Sequence, residues 1–223
     1  MKTGSRIVIA LATAGLTLGA LGCRSGDRRL MVSIPPPRDW QEELRQLREQ
    51  RDDFFRTSAE SPLLPEDVPG FRGLDYWEPD PRYYFVGPIN RYVEPERFSI
   101  VTTAGQTRPC EKLGWIGFTV DGTFMTLQVY RLLDVDPSAG GDGLLLPFND
   151  GTTGKESYPA GRYLDLRIFP GGLVALDFNK AYNPSCAYGD PERFACPSTP
   201  AANRLSVRIE AGERGYREPA TGG

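Results

Sequence analysis

No histidine occurs in the 223 residues. That absence excludes a Ser-His-Asp triad and a Cys-His dyad built within this chain. Cysteine is scarce, at four residues: Cys23, Cys110, Cys186 and Cys196. None sits in a CxxC pair and no histidine can complete a set of four, so a zinc site lacks its ligands. Lysine is scarce as well. Lys112, Lys155 and Lys180 are the only ones beyond the N-terminal segment, and nothing in the sequence sets a serine beside one for Ser-Lys chemistry. Lys and Arg total 26 against 29 Asp and Glu, with no long basic run. An acidic chain of this kind argues against nucleic acid as a partner. No cofactor motif is present. Gly154-Lys155 looks like part of a phosphate loop, but Asn149 stands where the first glycine belongs and Glu156 replaces Ser/Thr.

Long apolar runs are also missing. The longest, Ile7 to Leu21, falls short of the roughly 20 residues of a membrane-spanning helix. With Lys2 and Arg6 before it, it reads as the core of a signal peptide. It ends in Ala20-Leu21-Gly22-Cys23, which resembles a bacterial lipobox. Cys23 then becomes the lipidated first residue of the mature protein. The alternative is an ordinary secreted protein cut nearby. Removing residues 1–22 leaves 201 residues and takes away two basic and no acidic ones, so the net charge moves from −3 to −5. These features place the protein in the bacterial cell envelope, lipid-anchored on the periplasmic or extracellular face. Its membrane contact comes through the lipid anchor. In such an oxidising compartment a disulfide is expected. Cys186 and Cys196 lie ten apart in a turn-rich segment and form the expected pair, which leaves Cys110 over.

What is present has a clear order. Residues 23–38 read as a charged and proline-rich linker. Asp39 and Glu42 are spaced as a capping box for a helix. Trp40, Leu44, Leu47, Phe54 and Phe55 fall near one face of it, and Arg51 breaks the stripe. The helix should stop before Ser61-Pro62. From Gly70 onward the pattern is strands and turns. In LGWIGFTVDGTFMTLQVYRL, Asp121-Gly122 suits a two-residue hairpin turn. That turn pairs Phe118 with Met125 and Ile116 with Leu127. It places Ile116, Phe118, Val120, Met125, Leu127 and Val129 on one face. In YLDLRIFPGGLVALDF, a three-residue loop from Pro170 to Gly172 puts Leu164, Leu166 and Ile168 on the face of Val174, Leu176 and Phe178. The expectation is a mainly β chain: an antiparallel sandwich or barrel-like β domain with an N-terminal helix, spanning 39–214 as a single domain. Residues 215–223 read as a disordered tail.

The register of the second hairpin sets Asp165 opposite Asp177 on the face away from the core. Directly opposed residues lie about 4.5–5.5 Å apart at Cβ, and two carboxylates that close resist ionising together. They are the candidate catalytic pair, with Arg162 or Arg167 as neutralising partners in the structural alternative. Asp150, Tyr158, Arg162, Asn179, Asn183 and Asn203 are candidate ligand-binding residues. Asn side chains can read hydroxyls or amides, and Arg162 can pair with an anion. In DVDPSAGGDG, Asp134, Asp136 and Ser138 alternate as in a calcium loop, but Ala139 and Leu145 occupy the positions of the required Gly and Glu. No metal site is assigned.

The stretch LDFNKAYNPSCAYGD, residues 176–190, carries an unusual mixture of Asp, Asn, Tyr and Cys. Together with CPSTPAANRL, IEAGER and FNDGTTGKESYPAGRYLDL it resembles the signature blocks of the prokaryotic family called domain of unknown function 1684. SPLLPEDVPGFRGLDYWEPD is similar to that family's N-terminal block. The resemblance spans about Arg45 to Arg214. Ser198-Thr199-Pro200 departs from the family's proline pattern after Cys196-Pro197. The resemblance implies a shared fold and carries no activity with it. The leading reading is a binding module for a small polar ligand or an envelope partner. The second is a hydrolase using the paired carboxylates. The third is a structural protein without a ligand.

Overall fold

The computed structural model describes residues 29–135, 143–166, 168–189 and 193–216. The expected signal segment and Cys23, Arg167, Asp136 with Ser138 and Ala139, and residues 217–223 lie outside the described residues. Helix α1 is Trp40–Thr57. The strands are β1 (Val32–Ser33), β2 (Tyr84–Pro88), β3 (Asn90–Val101), β4 (Thr107–Val120), β5 (Thr123–Leu132), β6 (Leu144–Phe148), β7 (Arg162–Leu164) and β8 (Leu173–Asp177). They form two antiparallel sheets, ordered β1-β2-β8 and β3-β4-β5-β6-β7. Among the described residues the chain is mainly β with one N-terminal α-helix, and neither sheet closes into a barrel.

One apolar cluster takes residues from both sheets. Phe85 of β2 packs on Phe118 of β4 with ring centroids 5.3 Å apart, and Phe178 sits 5.2 Å from Phe148 of β6. Burying each such ring stabilises the fold by roughly 1.5–3 kcal/mol. The first hairpin forms in the expected register, with Phe118 opposite Met125 and Ile116 opposite Leu127. Asp121 and Gly122 have φ of +47° and +77°, so both central residues of the turn are left-handed. All six residues of the expected face are buried in the shared core. Where β4 shifts register, a side chain at Gly114 would put its Cβ 2.5 Å from Asn90 O. Glycine therefore lets β3 lie against β4 there.

The second hairpin keeps its turn and then opens. Ile168 faces Val174, and Phe169 N donates to Leu173 O at 2.8 Å, as the three-residue loop requires. Beyond that point β7 pairs with β6 and β8 pairs with β2. Each strand thereby joins a different sheet, while its apolar residues still reach the common core. The ladder that would have paired Asp165 with Asp177 is not made.

Two further expectations change. Asp39 is the N-cap of α1, but its side chain makes no cap hydrogen bond. Glu42 instead binds Arg45 at 2.6 Å, so the capping box is absent. Part of the expected linker belongs to the domain: Val32 pairs with Val86, Met31 N donates to Gly117 O at 2.7 Å, and the Met31 side chain is buried in the core. At the other end, Gly215 N donates to Glu156 O at 2.9 Å and Tyr216 packs on Tyr188.

Candidate functional site

The polar residues singled out from the sequence are mostly interior. Arg162, on β7, is fully buried. It donates to the carbonyls of Ala211, Ile209 and Glu213 and lies 3.4 Å from Asp150. Burial lowers its pKa, and the Asp150 charge opposes that shift. Asp150 also accepts from Ile209 N at 2.6 Å and from the Thr152 hydroxyl at 2.9 Å. Asn203 accepts from Gln128 N at 2.7 Å and donates to Pro147 O at 2.7 Å. Asn179 accepts from Asp80 N at 2.8 Å. These groups tie segments without regular ladders into the two sheets, and the unpaired backbone of those segments is what requires them. They are therefore not the exposed polar surface expected.

Asp177 and Asp165 belong to separate networks. Asp177 is buried, accepts from Trp40 Nε1 at 2.8 Å, and caps the Phe178–Lys180 turn through Asn179 N at 3.1 Å. It anchors α1 to the three-stranded sheet. Asp165 is exposed and accepts from the Tyr182 hydroxyl at 2.7 Å.

The expected Cys186–Cys196 disulfide is also absent. Both thiols are free. The turn-rich segment does bring them together, but through hydrogen bonds: Cys186 N donates to Cys196 Sγ at 3.4 Å, and the Tyr158 hydroxyl lies 3.8 Å from Cys186 Sγ. Hydrogen bonding from Cys196, with help from Thr103 and Tyr158, lowers the Cys186 pKa. Tyr158 thus serves the thiol pair. Cys110 is buried in the same apolar cluster, and burial raises its thiol to about 11.

A cleft of about 380 Å³ opens between α1 and the loop after β8. Leu47, Arg51, Phe54 and Phe55 line it from the helix, and Asp165, Tyr182, Asn183 and Tyr188 from the other side. The loop is positioned by main-chain bonds in both directions between Tyr163 and Tyr182, at 2.8 and 3.0 Å. Arg51, the residue that broke the apolar stripe, lies over the Tyr182 ring, 4.7 Å from its centroid. Its NH2 donates to Glu213 at 3.3 Å. That is long for a charged pair, which closes to about 2.7–2.9 Å. The buried atoms Arg51 Nε and Asn183 Oδ1 have no hydrogen-bond partner among the described residues, and 24% of the Arg51 side chain remains exposed.

Glu213 sits behind the cleft wall, buried, and accepts from Tyr188 OH, from Asn183 Nδ2 at 3.0 Å and from Asn183 N at 3.3 Å. Burial pushes its carboxyl up to about 7, against the pull of Arg51 and the Tyr188 and Asn183 hydrogen bonds. Gly212 makes the approach: its φ is +80°, and a Cβ there would meet Phe178 O at 2.6 Å. The protein around Asp165 limits its hydration although solvent reaches it, and this raises its carboxyl pKa; the Tyr182 bond and the Arg51 charge work the other way. Among the described residues, no group of three His, Cys, Asp or Glu is placed to hold a metal.

Of the expected site residues, the cleft takes only Asp165 and Asn183. Arg51, Tyr182, Tyr188 and Glu213 were missed. The legible signal was Arg51 itself, since a charge on the buried face of an amphipathic helix must find a partner.

The profile of the family described as "Protein of unknown function (DUF1684)" matches residues 69–214. The chain belongs to this family. The match includes the loop after β8, Asp165 and Glu213, and leaves α1 outside. The solution NMR structure of the uncharacterized protein from gene locus rrnAC0354 of Haloarcula marismortui is similar, at 35% identity and a TM-score of 0.60. The similarity covers 79% of this chain and 94% of that one. The DUF1684 fold is therefore shared between the two proteins. No curated protein matches the chain.

Proposed function

We propose that this DUF1684 protein is a lipid-anchored binding module of the bacterial cell envelope and takes a small polar ligand in the α1 cleft. The observation that carries the ligand reading is the wall of that cleft. An under-bonded Arg51 and the Asp165 carboxylate line one concavity of about 380 Å³, a volume within the usual range for small-molecule sites. A hydrolase acting through Asp165 and Asp177 finds no support, because the two carboxylates lie in separate networks: Asp177 is held inside by Trp40 and Asn179, and Asp165 faces the cleft beside Tyr182. The test is an NMR screen of the full chain with sugars, amino acids and organic acids as probes. Chemical-shift changes confined to Arg51, Asp165, Tyr182 and Ser185 are the expected outcome. Shifts mapping elsewhere, or none with any probe, reject the cleft.

The anchoring half rests on Lys2, Arg6, the apolar run to Leu21 and Cys23. No helix among the described residues is long and apolar enough to cross a membrane, so attachment would fall to acyl chains on Cys23. Cys23→Ser should move the protein from the membrane fraction to the soluble fraction. Wild-type protein with no acyl mass at its mature N-terminus would refute the anchor.

A further inference from the structure

Tyr182 joins two opposite charges in the cleft. The Arg51 guanidinium lies over its ring, 4.7 Å from the centroid, and the Asp165 carboxylate takes its hydroxyl at 2.7 Å. The two charges therefore lie one over the face and one at the hydroxyl end of the same tyrosine ring. Each is felt by anything that enters. A simple anion drawn to Arg51 meets Asp165, and a simple cation drawn to Asp165 meets Arg51. The wall carries no net charge from these two. Neither is saturated: Arg51 holds one long bond to Glu213 and has an unpartnered Nε, and Asp165 makes no ion pair among the described residues. The rest of the lining joins the apolar Leu47, Phe54, Phe55 and Pro62 to the polar Gln50, Asn183, Ser185 and Tyr188, and Phe54, on the helix side, is 44% exposed.

Resting on the reading of this cleft as a ligand site, we propose that its ligand is a zwitterion with an apolar side chain, a free apolar α-amino acid. The ammonium sits on Asp165, the carboxylate on the Arg51 side, and the side chain against Phe54 and Leu47. An amino acid carries its two charges only a few ångströms apart, which suits a donor and an acceptor spanned by one ring. Charge-assisted bonds at both ends supply orientation, and the aromatic wall supplies apolar burial.

The experiment is calorimetric titration of the full chain with L-leucine, L-phenylalanine, the decarboxylated amine of leucine, its deaminated acid, and glucose. An amino acid should bind at least about ten-fold more tightly than the amine or the acid. Arg51→Ala risks unfolding, because it strands the buried Glu213. The informative variant is Asp165→Asn, which keeps an acceptor for Tyr182. It should weaken the amino acid about ten-fold or more and leave the deaminated acid unchanged or tighter. Equal binding of amino acid, amine and acid, or no effect of Asp165→Asn, overturns the proposal. Glucose alone binding, with cleft resonances shifting, overturns the ligand class and keeps the cleft as a site. No binding by any probe overturns both.

Discussion

Arg162→Ala is expected to cost about 3–5 kcal/mol of folding stability, the usual range when one partner of a buried charge pair is removed. The side chain is fully buried. Its loss leaves the Ala211 and Ile209 carbonyls without donors and Asp150 without its counter-charge. It also removes a cation packed on Trp77 and Phe148, 4.9 and 5.0 Å from their centroids. The effect should reach the cleft, because the released segment is the one that presents Glu213. Urea unfolding measures it directly. A loss under about 1 kcal/mol, the worth of one ordinary neutral hydrogen bond, would mean the guanidinium is not the hub that the geometry makes it. Arg162→Lys should fall between the two, since an ammonium keeps the charge without the planar fork.

Stability should fall as pH rises from about 4.5 to about 7, through Glu213. Its carboxyl goes from an ordinary 4.5 to about 7 in the fold because burial disfavours the ion. Between those values the folded state holds a proton that the unfolded chain has already released. Folding is then favoured at the acid end and loses that advantage as pH climbs. The shift corresponds to roughly 3 kcal/mol across the window. Asp165, also raised because the surrounding protein limits its hydration, acts in the same direction. Arg51, Arg162, Tyr188 and Tyr76 are charged or titratable groups that bear on Glu213, and Asn183 donates to it. Glu213→Gln mimics the protonated side chain and should flatten this part of the pH profile. Parallel profiles for wild type and variant would show that Arg51 and the hydrogen bonds hold Glu213 ionised throughout.

Short-range features were readable from the sequence because short-range forces decide them. Asp121-Gly122 set the first hairpin register: a two-residue turn with both φ positive allows one pairing, and alternation of apolar residues demands the same one. The three-residue loop from Pro170 to Gly172 was equally legible. So was α1, although of its expected stripe Trp40, Leu44 and Phe55 are buried while Phe54 stays exposed at the cleft. The lack of histidine removed whole classes of chemistry before any folding was considered. The family blocks from FNDGTTG to IEAGER identified the fold group.

Which sheet each strand joins is a different kind of fact. The turn at Pro170 carries no information on whether β7 and β8 stay together, so the Asp165–Asp177 pair did not survive their separation into two sheets. Polarity in LDFNKAYNPSCAYGD gave no sign of which side chains face inward. Asp177, Asn179 and Asn183 are buried because a loop packed against a core must satisfy its backbone with side chains. Cys186 and Cys196 were correctly brought close, yet their spacing did not decide whether hydrogen bonds or a covalent bond would hold them. Arg51 and Glu213 lie 162 residues apart. No local period or propensity links them; they meet because α1 and the C-terminal segment pack beside the same loop. By itself the sequence determined the turns, the register of the first hairpin, the apolar faces of the strands and the excluded chemistries, all of which depend on neighbours within a few residues. The cleft, its opposed charges and its buried carboxylate were decided only when distant elements were brought together, since burial and charge pairing depend on what lies across the space rather than along the chain.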